Sequence, residues 1–356
     1  MYPALAVLQA MEGKYSAILW VGGQNGMESD LIKRLNLPYE EIPAAGVHGV
    51  GLRSLPGNIV KLLKGVVQSA QILKRFKPDV IFYTGGYVAA PMAVAGIRIP
   101  SVLYVPDIEP GFALNFIAKF AHAIALTTES SKQFFSKSKK LVVTGYPLRN
   151  NLQRVEKQAA IEVFNLSEKS PVILVYGGSK GSHSINQAIL KNIHPLLSKY
   201  QIIHVTGKID WQEISAIHHS LPDDLKQNYQ IYPYLHEEMS AAFSCADLVI
   251  CRSGASTLGE LPFFGLPAIL VPYPYAWQYQ KTNAEYMVSN QAAILVTDQE
   301  LESRVLTEIN QLFETPEKLT EMSKAMKSLS KSNAAHQIGS LILSQVSSSN
   351  QEGGLS

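Results

Sequence analysis

Residues 172–197 read VILVYGGSKGSHSINQAILKNIHPLL, and this stretch decides the fold class. Five apolar, β-favouring residues, Val172 to Tyr176, run directly into Gly177, Gly178 and a polar turn, and apolar positions then recur at helical spacing from Ile185 to Leu197. An uninterrupted apolar strand needs cover on both faces, and a strand that passes through a short glycine turn into an amphipathic helix is half of a parallel βαβ unit. The alternation repeats in both directions. Upstream, strands are expected at Ala17 to Val21, Val80 to Thr84, Val102 to Val105, Ala123 to Thr127 and Leu141 to Thr144. Downstream they are expected at Ile202 to Val205, Ile231 to Tyr234, Leu248 to Cys251, Ala268 to Val271 and Ala293 to Val296. The class that follows is α/β, with doubly wound parallel sheets of the Rossmann type.

At 356 residues the chain exceeds one ordinary hydrophobic core, so two domains are expected. The two strand series part at Gly145 to Arg149, a glycine and proline breaker, which gives domains 1–147 and 148–333. Beyond Leu301 the pattern is wholly helical; residues 334–348 are expected to form a helix packing back on the first domain, and 349–356, the end of a polar run from Ser347, a disordered tail. Hydrophobic residues at 46% and charged residues at 17% exclude a disordered chain, and a net charge of +2 gives no reason to expect a nucleic-acid partner. Cys245 and Cys251 lie in an apolar stretch without zinc spacing and read as core residues of a reducing compartment. No window reaches the roughly 18 to 20 apolar residues of a membrane span.

Three segments carry chemistry. In Val175 to Ser182 the glycines, Gly178 among them, let the backbone approach an anion, and the helix start behind them offers N–H groups and the positive end of a dipole. A plain strand-to-helix turn with no ligand uses the same residues. A second turn of this type, Cys251 to Glu260, follows another strand and places Glu260 in the helix, where a carboxylate can accept both hydroxyls of a ribose or stand solvated. The third, after Val271 to Pro274, puts Gln280 and Asn283 three apart on one helix face, suited to reading sugar hydroxyls or to an ordinary polar helix start.

The segments TGGYVAAP, VTGYPLR, GGSKGS, VICRSGASTLGE and GLPAILVPYP with YQKTN resemble, in order and spacing, the motifs of the MurG family, UDP-N-acetylglucosamine:N-acetylmuramyl-(pentapeptide) pyrophosphoryl-undecaprenol N-acetylglucosamine transferases. The resemblance runs from Tyr2 to about Ala335 and implies the GT-B fold, two Rossmann-like domains facing a cleft. It implies a donor site of Arg149, Gly178, Ser179, Arg252, Ala255, Ser256, Thr257, Glu260, Gln280 and Asn283, with uracil held by main-chain groups near Leu235 and His236. Gly85, Gly86 and Tyr87 correspond to the family's second glycine loop, on the acceptor side. The implied reaction moves N-acetylglucosamine from UDP-N-acetylglucosamine to the 4-hydroxyl of an undecaprenyl-diphosphate-linked muramyl peptide, with inversion, at the inner leaflet of the cytoplasmic membrane. The helix Asn58 to Lys77, apolar and basic, is the implied peripheral docking element.

The sequence also departs from the family. Tyr104 to Asp107 stands where other members have a His-Glu-Gln-Asn run, and Tyr279 replaces a His or Gln. Tyr2 to Leu8 reads as a helix start with Pro in its first turn, where the family has a preceding strand and a GGTGGH loop that carries the His base. The chain is therefore expected to begin one element late, as a fragment or from a late start codon, and to turn over slowly. Asp107 and Glu109 are the remaining candidates for the base, and both also read as solvated loop carboxylates. No Asp-x-Asp pair follows a strand, so no obligatory metal or other cofactor is expected. Two other readings stay open: a different GT-B sugar transferase or UDP-sugar epimerase, and a non-catalytic UDP-sugar-binding subunit.

Overall fold

The computed structural model describes residues 1–24, 26, 28–46, 55–178, 182–274 and 279–352. The chain divides into two compact units, Met1–Arg149 with Asn333–Ser356, and Asn150–Ser332. The first unit ends at Arg149, whose guanidinium lies over the Tyr2 ring, 4.9 Å from its centroid.

The first unit runs α1 (Tyr2–Ala10), β1 (Trp20–Gly23), α2 (Glu28–Arg34), β2 (Tyr39–Ile42), α3 (Leu55–Phe76), β3 (Ile81–Tyr83), α4 (Ala89–Ala95), β4 (Ser101–Val105), α5 (Phe112–Ala118), β5 (Ala123–Leu126) and β6 (Lys140–Val143). β3, β4, β5 and β6 pair in that order, all parallel; β1 and β2 form a separate parallel pair. An apolar cavity of about 550 Å³ is lined on one side by β1, through Trp20, Val21 and Gly22, and on the other by β3, through Ile81, Phe82 and Tyr83.

β4 shows why this sheet forms where it does. All five of its residues are buried: Leu103 and Val105 join Met92, Ile117 and Leu126 on one face, while Val102 and Tyr104 join Val7, Ile338 and Ile342 on the other. Successive side chains leave opposite faces of a strand, so a run with no polar interruption is stable only between two helical layers.

The helix expected at Asn58 to Lys77 starts at Leu55 and ends at Phe76, where Lys77 takes a left-handed φ of 50°. Its Gly65 packs so closely that an added Cβ would collide with the Pro43 carbonyl oxygen in the loop before α3 and lie 3.1 Å from Pro91 Cγ of α4. Gly65→Ala should therefore lower stability by about 1–3 kcal/mol in spite of alanine's better helix propensity. A urea unfolding midpoint equal to or above that of the wild type would contradict this packing.

The second unit contains α6 (Lys157–Val163), β7 (Val172–Tyr176), α7 (His183–Lys191), α8 (Ile193–Leu197), β8 (Gln201–Val205), α9 (Trp211–Ser220), α10 (Asp223–Lys226), β9 (Tyr229–Tyr232), α11 (Met239–Cys245), β10 (Leu248–Cys251), α12 (Thr257–Phe264), β11 (Ala268–Leu270), α13 (Tyr279–Ser289), β12 (Ala293–Leu295), α14 (Leu301–Glu314) and α15 (Pro316–Ser328). Its six parallel strands lie in the order β12, β11, β10, β7, β8, β9. From β7 the chain builds outward through β8 and β9, then returns to build β10, β11 and β12 on the other side of β7. The order reverses between β7 and β10, and in open α/β sheets the crevice outside the strand ends at such a reversal is where ligands bind.

Helix α16 (Ala334–Glu352) returns to the first unit, where Ile338, Leu341 and Ile342 cover one face of β4 and β5 beside α1. It was expected to stop at residue 348 with a disordered tail beyond; the helix instead continues through Glu352. Residues 347–352 contain no Gly or Pro, so once the apolar turns are docked each further residue adds a backbone bond without a new nucleus.

Candidate functional site

The two glycine turns of the second unit leave the C-terminal ends of β7 and β10, which are hydrogen-bonded neighbours, with Tyr176 opposite Cys251. Gly178 has φ +93°, a conformation that L side chains avoid, although a Cβ there would meet nothing within 4 Å. The backbone conformation, and not crowding, asks for glycine. Ser179, implied as a nucleotide contact, lies outside the described residues together with Lys180 and Gly181.

After β10, Gly254 begins a tight helix start. The Thr257 hydroxyl donates to the Gly254 carbonyl at 2.6 Å and the Thr257 N–H to the same oxygen at 3.0 Å. Thr257 is thereby buried and serves to shape the turn, while Ala255 and Ser256 are half-buried ahead of α12. The N–H groups of Thr257, Leu258, Gly259 and Glu260 close on the carbonyls of Gly254, Ala255 and Ser256, so what α12 turns outward at this start is the positive end of its dipole. Glu260 is half-buried on α12, close to Tyr176 and Cys251. Burial first, and the Glu260 charge among the lesser causes, raises the Tyr176 hydroxyl well above its ordinary range and pushes the Cys251 thiol up to about 12. Both stay neutral.

Arg252, implied as a donor contact, is used differently. Its Nη1 donates to the carbonyls of Val271 at 3.1 Å and Pro272 at 3.3 Å and to Asp298 Oδ1 at 2.5 Å, its Nη2 donates to Ser184 Oγ at 2.7 Å, and its guanidinium carbon lies 5.2 Å from the centroid of the Tyr273 ring. Ser184 Oγ in turn donates to Asp298 Oδ1 at 2.8 Å. The Arg252 side chain is only 11% exposed, so the guanidinium acts first as a strut between the first turn of α7 and the loops that follow β10, β11 and β12.

Gln280 and Asn283 share α13 but not a role. The Gln280 Oε1 accepts from the Tyr273 N–H at 2.9 Å, and the Gln280 carbonyl accepts from Ser253 Oγ at 2.7 Å. Asn283 has 0% of its surface exposed and donates through Nδ2 to the Ser253 carbonyl at 3.1 Å. This corrects the sugar-binding expectation for Asn283: its amide holds the β10 turn from beneath. Leu235 is buried, and the His236 N–H donates to Glu238 Oε2 at 3.1 Å.

In the first unit Gly85 and Gly86 both have left-handed φ, +96° and +83°, directly after β3, and Tyr87 is 47% exposed. Asp107 and Glu109 are half-buried in the loop between β4 and α5. Sequence reasoning missed Asp298 and Ser184. The available signal was a carboxylate just past a strand end, on the same sheet edge as a lone arginine. Among the described residues no group of three or more His, Cys, Asp or Glu side chains could hold a metal ion.

Residues 172–338 match the glycosyltransferase family 28 C-terminal domain, and residues 1–126 match the family's N-terminal domain. The chain is 34% identical to the UDP-N-acetylglucosamine--N-acetylmuramyl-(pentapeptide) pyrophosphoryl-undecaprenol N-acetylglucosamine transferase of Roseiflexus sp. (strain RS-1), over 96% of this chain and 91% of that protein. It is also 34% identical to the enzyme of that name from Desulforamulus reducens, over 95% and 93%. The crystal structure of Acinetobacter baumannii MurG superposes with a TM-score of 0.78 at 27% identity, covering 96% of this chain and 95% of that one. UDP-GlcNAc 2-epimerase from Neisseria meningitidis, at 14% identity and a TM-score of 0.67, shares the fold. With its two parallel-sheet units of the GT-B type and these matches along its length, the chain belongs to glycosyltransferase family 28.

Proposed function

We propose that this chain transfers N-acetylglucosamine from UDP-N-acetylglucosamine to the 4-hydroxyl of undecaprenyl-diphosphate-linked N-acetylmuramyl-pentapeptide, with inversion at the anomeric carbon. The observation that carries the reading is the meeting of two glycine turns and the α12 start at the strand-order reversal between β7 and β10. There the backbone offers fixed donors to a diphosphate. As the glycosidic bond breaks, charge grows on the departing UDP, and donors already in place stabilise it without reorganising. Glu260 takes the ribose hydroxyls. The Gln280 amide, which makes no hydrogen bond through Nε2 among the described residues, takes a sugar hydroxyl. On the acceptor side Gly85, Gly86 and Tyr87 form the loop at the end of β3, and Asp107 and Glu109 are the carboxylates offered to the attacking hydroxyl.

The direct test incubates the purified chain with UDP-N-acetylglucosamine and a lipid-linked muramyl-pentapeptide and follows product mass. Gain of one N-acetylhexosamine by the acceptor, in step with UDP release, is expected. Epimerised donor with an unchanged acceptor would replace this reading with that of an epimerase.

Attachment to the cytoplasmic face of the membrane rests on α3. No described helix is long and apolar enough to cross a bilayer, yet α3 exposes Ile59, Val60, Leu63 and Val67 at 45%, 50%, 62% and 58%, with Lys61 and Lys64 exposed beside them. Apolar side chains that enter the headgroup boundary and lysines that meet anionic lipid are the two halves of a peripheral anchor. Leu63→Glu is expected to release the protein from sedimenting anionic vesicles while leaving UDP binding intact. Unchanged sedimentation would remove α3 from the contact.

A further inference from the structure

Among the described residues the Arg252 strut has one anionic partner, Asp298, and nothing so far assigns Asp298 a part in the reaction. It lies between β12 and α14, two strands away from β10 and three from β7 in the sheet. Its Oδ1 nonetheless accepts from both Arg252 and Ser184, and Ser184 also accepts from Arg252. These three side chains close a triangle. One corner is in the first turn of α7, behind the β7 glycine turn; another begins the β10 glycine turn; the third is Asp298, 22% exposed.

We infer that Asp298 is a positioning residue for the donor diphosphate: by holding Arg252 and Ser184 together it fixes the spacing of the two anion-binding turns. The inference rests on the donor reading above and adds to it a residue that touches no substrate. Two physical arguments favour it. A serine hydroxyl has one hydrogen, and with Asp298 as its acceptor its lone pairs are turned to Arg252, so the direction of each bond in the triangle is determined by the carboxylate. Helix-start donors act on an oxyanion only within ordinary hydrogen-bond distance, so two turns that drift apart no longer serve one diphosphate.

The charge of Asp298 makes the test discriminating. A carboxylate near a bound diphosphate repels it, so if Asp298 were a bystander, Asp298→Asn would leave UDP binding unchanged or tighten it. If Asp298 positions the turns, the same change weakens binding. The experiment measures UDP affinity by calorimetry, and KM for the donor and for the lipid-linked acceptor, on the full chain and on D298N, D298E and S184A, with thermal midpoints recorded alongside. Expected are about a tenfold loss of UDP affinity and a matching rise in donor KM for D298N, partial recovery in D298E, a smaller loss in S184A, and an unchanged acceptor KM in all three. The S184A change removes one hydroxyl and keeps the test available if D298N folds poorly. UDP affinity in D298N and S184A equal to or above that of the wild type overturns the inference. A wild-type chain that binds no UDP overturns the donor reading itself, a distinguishable outcome.

Discussion

Glu260→Gln should raise the KM for UDP-N-acetylglucosamine about 100-fold, with little change in the KM for the acceptor. The carboxylate is held half-buried on α12 beside the neutral Tyr176 and Cys251, four residues past the half-buried Ser256 that precedes the helix. Its two oxygens suit the two vicinal hydroxyls of a ribose. A hydrogen bond to a charged group contributes about 1.5–3 kcal/mol, and about 1.4 kcal/mol is a factor of ten, so two such bonds weakened by the neutral amide account for the expected effect. A donor with a 2′-deoxyribose separates this role from general damage. The wild type should discriminate strongly against it, because the analogue takes away one of the hydroxyls the carboxylate accepts from, while the Gln variant should discriminate far less. Equal discrimination by both proteins would place the ribose elsewhere.

The second large effect is on stability. His204, on β8, is fully buried: Nδ1 is 2.8 Å from the Tyr229 hydroxyl and Nε2 is 2.9 Å from Asn186 Oδ1. An amide oxygen only accepts, so by the geometry Nε2 carries the hydrogen and Nδ1 accepts from Tyr229. Asn186 in turn donates to the Thr206 carbonyl at 2.9 Å and to Asp210 Oδ2 at 2.7 Å. The network is complete with a neutral ring, and burial pushes the imidazole down to about 3, only partly offset by the nearby Asp210 charge.

The consequence for pH follows from which state binds the proton. Above the ordinary value of about 6.5 both folded and unfolded chains hold a neutral ring, and the stability is fully present. As pH falls through that value the unfolded chain takes up a proton that the folded chain excludes, and stability is lost at about 1.4 kcal/mol per pH unit until the folded value is approached. His204→Gln should cost about 1–3 kcal/mol at neutral pH, since a shorter amide leaves Tyr229 or Asn186 without its partner. Between pH 6 and pH 4 its unfolding free energy should fall less steeply than that of the wild type, the difference approaching one proton. Parallel slopes for the two proteins would mean that His204 is charged in the fold.

Much of this architecture can be read before any coordinates because it is local. VILVY and AIAL are apolar throughout, and SVLYV is apolar after Ser101; only a strand covered on both faces tolerates that. β2 escaped detection for the opposite reason: Tyr-Glu-Glu-Ile carries two charges, as an edge strand with one neighbour can. The glycine turns after β3 and β7 were legible because left-handed backbone leaves a residue-type mark, and Gly85, Gly86 and Gly178 all have it.

Side-chain partnership across the sheet leaves no such mark. Asn283 reads as a surface amide at helical spacing, and only the fold shows it sealed beneath Ser253. Arg252 reads as a cation open to a phosphate, and its engagement by Asp298, 46 residues away, depends on β12 and β10 lying at the same sheet edge. The length of α16 is hidden from composition for an energetic reason: polar residues argue against a new core, but not against extending a helix whose earlier turns are already docked.

The account turns on whether the β7 and β10 turns cradle a pyrophosphate. Titration calorimetry comparing UDP with UMP measures this most directly, since the two differ by one phosphate. The account predicts saturation by one UDP per chain and at least tenfold weaker binding of UMP. UMP binding as tight as UDP, or no saturable heat with UDP, would contradict it.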